Sequence, residues 1–211
     1  MKRPTLLLAD DHALVLEGLR KILEPDFDVV GVAEDGRALV EMAPRVKPDV
    51  ILADITMPLL NGVEAARQIM RSDPKAKIIM LTMHPDPTYA TEALEAGCLG
   101  YVLKHSAAVE LVTAIQEALQ GRIYVTPRIA GEVADALRQG LQHRRKTEAH
   151  LTPRQREVLQ LVAEGKSLKA IAEILHVSKR TVEFHKYRIK DELGLRTSAD
   201  FTQYAIKHGI I

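Results

Sequence analysis

Val50-Ile51-Leu52-Ala53-Asp54-Ile55-Thr56-Met57-Pro58 runs an apolar segment into a single carboxylate and then stops. The run 50–53 suits a short strand buried on both faces. Pro58 cannot donate to a sheet ladder, so the strand ends before it. Asn61-Gly62 follows as the cap of the next helix. Asp54 therefore falls at the carboxyl end of a strand, where open α/β sheets place their ligand chemistry.

On either side the same rhythm repeats. Short apolar or β-branched runs at 5–9, 29–33, 78–81 and 101–103 alternate with amphipathic stretches at 12–23, 36–43, 61–71, 88–96 and 107–120. Five such units predict a doubly wound, five-stranded parallel sheet covered by helices on both faces. Asp35-Gly36 reads as a turn and helix cap. No Gly-x-Gly-x-x-Gly follows the first strand. Asp10-Asp11 stands there instead, which points away from a dinucleotide fold.

The strand ends carry the chemistry: Asp10-Asp11 after the first, Asp54 after the third, Thr82 after the fourth and Lys104 after the fifth. In a doubly wound sheet these side chains converge on one rim. Three clustered carboxylates repel one another and call for a cation, and an all-oxygen donor set suits Mg²⁺. Such a rim fits phosphoryl transfer. Asp54 is the expected nucleophile, with Lys104 and the cation neutralising phosphoryl oxygens and Thr82 hydrogen-bonding one of them. His12 and His84 are expected to line the rim without chemistry, and Met57, Met80 and Met83 to fill core and loop.

Leu8-Ala9-Asp10-Asp11-His12, Asp54 with Met57-Pro58 and Gly62, Leu81-Thr82, Ala96-Gly97 and Gly100-Tyr101-Val102-Leu103-Lys104 together resemble the receiver domain of two-component response regulators, flavodoxin-like in fold, over residues 4–122. The resemblance implies that a sensor histidine kinase phosphorylates Asp54. It also implies that Asp11, Asp54 and the Thr56 carbonyl hold Mg²⁺, with Asp10 helping through water. Tyr101 takes the place of an aromatic that turns inward when the threonine moves toward the phosphoryl group; the plainer reading is a half-buried strand tyrosine. His105 stands where the family often has proline, so no cis peptide is assumed there.

Past residue 120 the α/β rhythm ends. Residues 121–127 read as a turn-rich exit, 128–141 as a helix, and Arg144-Arg145-Lys146 as part of an exposed basic tether. The division is a receiver at 1–122, a linker at 123–147 and a second domain at 148–211. That domain reads as wholly helical. Thr152, Pro153 and Gln155 make a capping box, Ser167 caps a helix over 168–175, and Ser178 caps another over 179–193. Two short helices joined by a tight turn at His176-Val177 form a helix-turn-helix unit. The outer face of its second helix offers Lys179, Arg180, Lys186, Tyr187 and Lys190.

Leu151-Thr152-Pro153-Arg154-Gln155-Arg156-Glu157-Val158-Leu159, with Lys169, Ile171-Ala172, Leu175, Ser178, Thr181-Val182, His185, Ile189 and Leu193-Gly194, is similar to the LuxR-type output domain of NarL/FixJ-type regulators. The resemblance implies that the 179–193 helix enters the major groove of double-stranded promoter DNA. Lys179, Arg180 and Lys186 would hold phosphates, with Thr181 beside them. Glu183, Phe184 and Tyr187 would face the bases, and His185 the core. Phe201, Tyr204 and Ala205 match the segment that pairs protomers into a homodimer; the alternative is closure of a four-helix core.

Composition agrees with this division. Of 211 residues, 46% are hydrophobic and 27% charged, as in ordinary globular proteins. Residues 1–127 hold 13 Lys and Arg against 18 Asp and Glu, and residues 128–211 hold 16 against 10. The acidic half and basic half suggest two jobs, with nucleic acid a partner for the second. Cys98 is the only cysteine, so no internal disulfide or cysteine zinc site is possible. No apolar run approaches the roughly 18–20 residues of a membrane span, and the start of the chain lacks a signal-peptide core, so a cytoplasmic location is expected.

Gly165-Lys166-Ser167 imitates the end of a phosphate-binding loop, but Gln160 occupies the position of its first glycine. The expectation is a phosphorylation-controlled transcription factor. One rival is an aspartate-nucleophile phosphatase, which would carry a second Asp where this chain has Thr56. Another is a regulator that has lost DNA binding, against which the basic 179–190 face argues.

Overall fold

The computed structural model describes residues 3–83, 85–106, 108–143 and 151–211. His84 and the basic run Arg144-Arg145-Lys146 lie outside the described residues. The chain folds as two compact units, an α/β unit first and an all-helical unit after it.

The first unit alternates β1 (Thr5–Ala9), α1 (Ala13–Leu23), β2 (Asp28–Ala33), α2 (Gly36–Val46), β3 (Val50–Asp54), α3 (Gly62–Ser72), β4 (Ile78–Thr82), α4 (Pro87–Glu95), β5 (Gly100–Leu103) and α5 (Ala108–Leu119). These five strands are all parallel in the order β2-β1-β3-β4-β5. Chain order reverses between β1 and β3, which opens a crevice at their carboxyl ends. Every residue of β3 and β4 is buried, as unbroken apolar runs require, whereas the edge strand β2 alternates. Leu6, Leu8, Leu52, Ile79, Leu81 and Val102 pack with Leu16, Leu23, Leu111 and Ile115 in one core. Asp35 caps α2 by accepting from the Arg37 and Ala38 N–H groups.

Among the described residues the expected five strands are six. β6 (Tyr124–Val125) pairs parallel with β5, setting Gly100 opposite Tyr124 and Tyr101 opposite Val125. Two residues show no period, so only the nonlocal pairing defines the strand. It leads into α6 (Pro127–His143), the helix expected over 128–141. Ile129 and Val133 are each 2% exposed. Residues 123–143, read as part of a linker, therefore complete the first unit.

The second unit is α7 (Pro153–Ala163), α8 (Leu168–Ile174), α9 (Lys179–Leu193) and α10 (Ser198–Lys207). The Thr152–Gln155 capping box forms, and Ser167 and Ser178 cap α8 and α9. His176 adopts φ +51° in the turn before α9, the left-handed conformation that lets two helices meet at a short corner. Val158, Leu159, Leu161, Ile171, Leu175, Val182, Ile189, Phe201 and Ala205 form its core. No described helix is long and apolar enough to cross a membrane.

Candidate functional site

Strand register assembles the rim. Ala9 lies opposite Ala53, so Asp10 and Asp54 emerge at one level; Asp54 lies opposite Leu81, and Thr82 opposite Leu103, the residue before Lys104. Lys104 Nζ sits 2.5 Å from Asp10 Oδ2 and 2.9 Å from Asp54 Oδ2. Asp10 and Asp54 are buried, while Asp11 is partly open to solvent. Asp54 Oδ1 also accepts from the Ile55 N–H at 2.8 Å.

Burial pushes the Asp54 carboxyl up; the Lys104 hydrogen bond and charge oppose this, Asp10 adds to it, and the net position stays above the usual carboxylate range. Burial works against the Lys104 ammonium, but hydrogen bonds and charge from Asp10 and Asp54 outweigh it and hold Lys104 above its ordinary value. One cation thus serves two buried carboxylates.

Asp10, Asp11, His12 and Asp54 each turn a ligand atom into a space where all four lie within 4.8 Å of one another. The three carboxylates fit a hard divalent cation such as Mg²⁺. His12, expected to line the rim, lies against the acidic pair: Nδ1 is 2.8 Å from Asp11 Oδ1 and 3.2 Å from Asp10 Oδ1. Adjacency to the acidic pair was the signal. Thr56 follows Asp54 in the same loop, half-buried.

That loop is shaped by Gly62. A Cβ there would meet the Asp54 carbonyl oxygen at 2.0 Å, and the Gly62 N–H donates to Ile55 O at 2.8 Å. Asn61 caps α3 by accepting from the Glu64 N–H at 2.9 Å. Only glycine allows α3 to start this close to the Asp54 backbone.

Thr82 and Tyr101 are both buried, and their side chains share a hydrogen bond. Burial drives the Tyr101 phenol far above its ordinary value. The tyrosine is fully inward rather than half-buried. The Lys104 N–H donates to Thr82 O at 2.7 Å, which ties the Thr82–Tyr101 pair to the residue that carries the rim ammonium.

On α9, Lys179, Arg180, Glu183, Phe184, Tyr187 and Lys190 are exposed. Thr181 is half-buried and its hydroxyl bonds Ser178 Oγ at 2.8 Å within the cap. Lys186 is also half-buried, its ammonium 5.7 Å from the Phe201 ring centroid. It is therefore drawn toward the core side of α9. Arg188 was missed: its guanidinium lies 5.5 Å from the exposed Phe184 ring, one turn along the same face. Glu183 pairs with Lys179 at 3.5 Å. His185 is half-buried, and burial followed by the nearby Arg154 charge lowers its pKa.

The expected dimer residues need correction. Phe201 and Ala205 are 1% and 0% exposed within the second unit's core, so neither side chain can meet another protomer. They close the four-helix core. Tyr204 alone keeps a partly open face, stacked on His208 with centroids 4.1 Å apart.

A parallel doubly wound unit with an acidic rim, followed by a helix-turn-helix unit with a basic outer helix, defines a DNA-binding signalling protein. The chain belongs to the transcriptional response regulators: the response regulator receiver domain matches residues 6–116, and the luxR family of bacterial regulatory proteins matches 149–205. It is 38% identical over 208 residues to the transcriptional regulatory protein LiaR of Bacillus subtilis, covering 98% of each chain. It is 34% identical over 220 residues to DegU of Brevibacillus brevis, covering 97% of this chain and 93% of the relative. The RcsB response regulator of Salmonella typhimurium superposes with a TM-score of 0.67 at 30% identity, covering 99% of both chains. An RcsB–DNA complex superposes with a TM-score of 0.58 at 30% identity over 98% of this chain and 99% of that one. These relatives are regulators of transcription, not enzymes, and the phosphatase reading is set aside.

Proposed function

We propose that this regulator is switched by phosphorylation of Asp54 by a sensor histidine kinase and acts on promoter DNA through α9. The observation that carries it is the single Lys104 ammonium shared between Asp10 and Asp54 at the carboxyl edge of the sheet. An Asp54 oxygen attacks the phosphorus of the donor phosphohistidine. The P–N bond breaks, and its electron pair stays with the donor imidazole. Lys104 is placed to neutralise a phosphoryl oxygen, and Thr82 to donate a hydrogen bond to another. Asp10, Asp11, Asp54 and the Thr56 carbonyl would hold Mg²⁺, which supplies further charge neutralisation when bound. The Thr82–Tyr101 pair then favours one arrangement of β5 over another.

On DNA, Arg180 and Lys190 contact phosphates, with Lys179 weakened by its Glu183 pair. Phe184 and Tyr187 face the bases, Phe184 toward a thymine methyl. Two protomers on neighbouring half-sites add their binding energies, which makes the phosphorylated form a dimer. The cytoplasm, where kinase and promoter meet, is its location.

Incubation with Mg²⁺ and acetyl phosphate, beside Asp54→Ala, tests the first part by intact mass and sedimentation. One added phosphate on wild type only, with a larger sedimenting species, is expected. An unmodified wild type would refute it. For the second part, Lys190→Ala should lower the salt slope of duplex binding by about one unit. Salt-independent binding would refute groove docking.

A further inference from the structure

Thr126 stands between β6 and α6, 4% exposed, and its side chain serves the sheet instead of the helix it opens. Its N–H donates to Tyr101 O at 3.0 Å, and its Oγ1 accepts from the Leu103 N–H at 3.2 Å. Its own carbonyl accepts from the Ile129 N–H at 3.0 Å to begin α6. Asp35, Asn61, Thr152, Ser167 and Ser178 all turn their side chains onto their own helices. Thr152-Pro153 is the same dipeptide as Thr126-Pro127, yet the Thr152 hydroxyl accepts from Gln155 of α7. At Thr126 the hydroxyl acts as a strand carbonyl just past the end of β6.

The result is a two-sided hold on the end of β5. From β4, Thr82 O accepts from the Lys104 N–H at 2.7 Å; from β6, Thr126 engages Tyr101 and Leu103. Further ties join the same elements. Arg128 Nη1 of α6 lies 3.2 Å from His105 Nε2, and Tyr124 of β6 bonds Glu110 of α5. A shift of the strand that carries Tyr101 and Lys104 therefore moves the first turn of α6 or breaks these bonds.

We propose that Thr126 is a positioning residue that fixes the Tyr101–Lys104 end of β5 and couples it to α6. The coupling rests on the Asp54 reading, since a change at the acidic rim is what it would transmit. Thr126→Val removes the acceptor at nearly constant shape, and Thr126→Ser retains it.

Hydrogen–deuterium exchange of segments 101–106 and 127–133 is read on the full chain, with and without acetyl phosphate and Mg²⁺. Intact mass is taken on the same samples. Without donor, Thr126→Val exchanges about fivefold faster in 101–106, the factor for losing one ordinary hydrogen bond. With donor, wild type and Thr126→Ser change exchange in both segments, Thr126→Val only in 101–106, and phosphate uptake by Thr126→Val is several-fold slower. Donor-free exchange equal to wild type, or a wild-type response of 127–133 in Thr126→Val, overturns the assignment. Absence of the adduct on wild type sinks the Asp54 reading alone, because the donor-free comparison still decides whether Thr126 holds β5. Should Thr126→Val misfold, the exposed Arg128→Ala replaces it; an undiminished 127–133 response there counts against the coupling.

Discussion

Replacing Lys104 with methionine keeps the length of the side chain and removes the charge that bridges two buried carboxylates. Asp10 and Asp54 are 0% and 5% exposed, and the ammonium lies 2.5 and 2.9 Å from them. Removing one partner of a buried pair costs about 3–5 kcal/mol, because the remaining charge stays uncompensated. The protein can recover part of this by protonating a carboxylate. Asp54 is the first candidate: burial already raises its pKa, and Lys104 supplies the main opposing influences. A raised folded-state pKa means that the folded chain holds the proton more tightly than the unfolded chain. Its contribution to stability is complete below the unfolded value and is lost as pH rises through the folded one. The deficit of Lys104→Met is therefore small in acid and grows toward neutral pH. Urea unfolding of both proteins without metal, at about pH 4.5 and about pH 8, measures it. A deficit below about 1 kcal/mol at the higher pH, or one that does not change with pH, would refute the reasoning. Phosphate uptake from acetyl phosphate should also fall by about 10²–10³, the usual cost of losing one charge-stabilising donor.

Asp54→Asn removes a carboxylate whose charged form the site disfavours, so calorimetry should find it at least as stable as wild type near neutral pH. That advantage fades in acid, where Asp54 is protonated in both folded and unfolded chains. Gly62→Ala must displace the Asp54 backbone, since its Cβ would lie 2.0 Å from the carbonyl oxygen. Loss of phosphate uptake with a lowered unfolding midpoint is expected, and a normal midpoint with normal uptake would count against the close approach. Phe201→Ala should destabilise the second unit by about 3–5 kcal/mol in thermal melts. Tyr204→Ala, half exposed, should cost far less, and equal losses would contradict the burial of Phe201.

The sequence by itself determined the α/β class, the helix-turn-helix and the membership of the rim. Parallel strands buried on both faces are written as unbroken apolar runs, and the polar residue that ends each run must emerge at one edge. Asp10, Asp54, Thr82 and Lys104 were legible for that reason. The caps at Asp35, Thr152 and Ser178 were legible because a cap and its helix are neighbours in sequence.

Only the tertiary structure decided what depends on distant partners. β6 is two residues that become a strand by lying beside β5. Tyr101 is fully buried, and Phe201 and Ala205 line a core. Helical spacing names a face but not what covers it, and for the same reason Lys186 turned toward Phe201 and not fully outward. The two Thr-Pro pairs state the limit most plainly. Thr152 and Thr126 both begin a Thr-Pro-Arg stretch, but Gln155 completes the capping box at the first where the second has Ile129, and the neighbouring strand offers Thr126 a buried N–H from Leu103 that takes the hydroxyl.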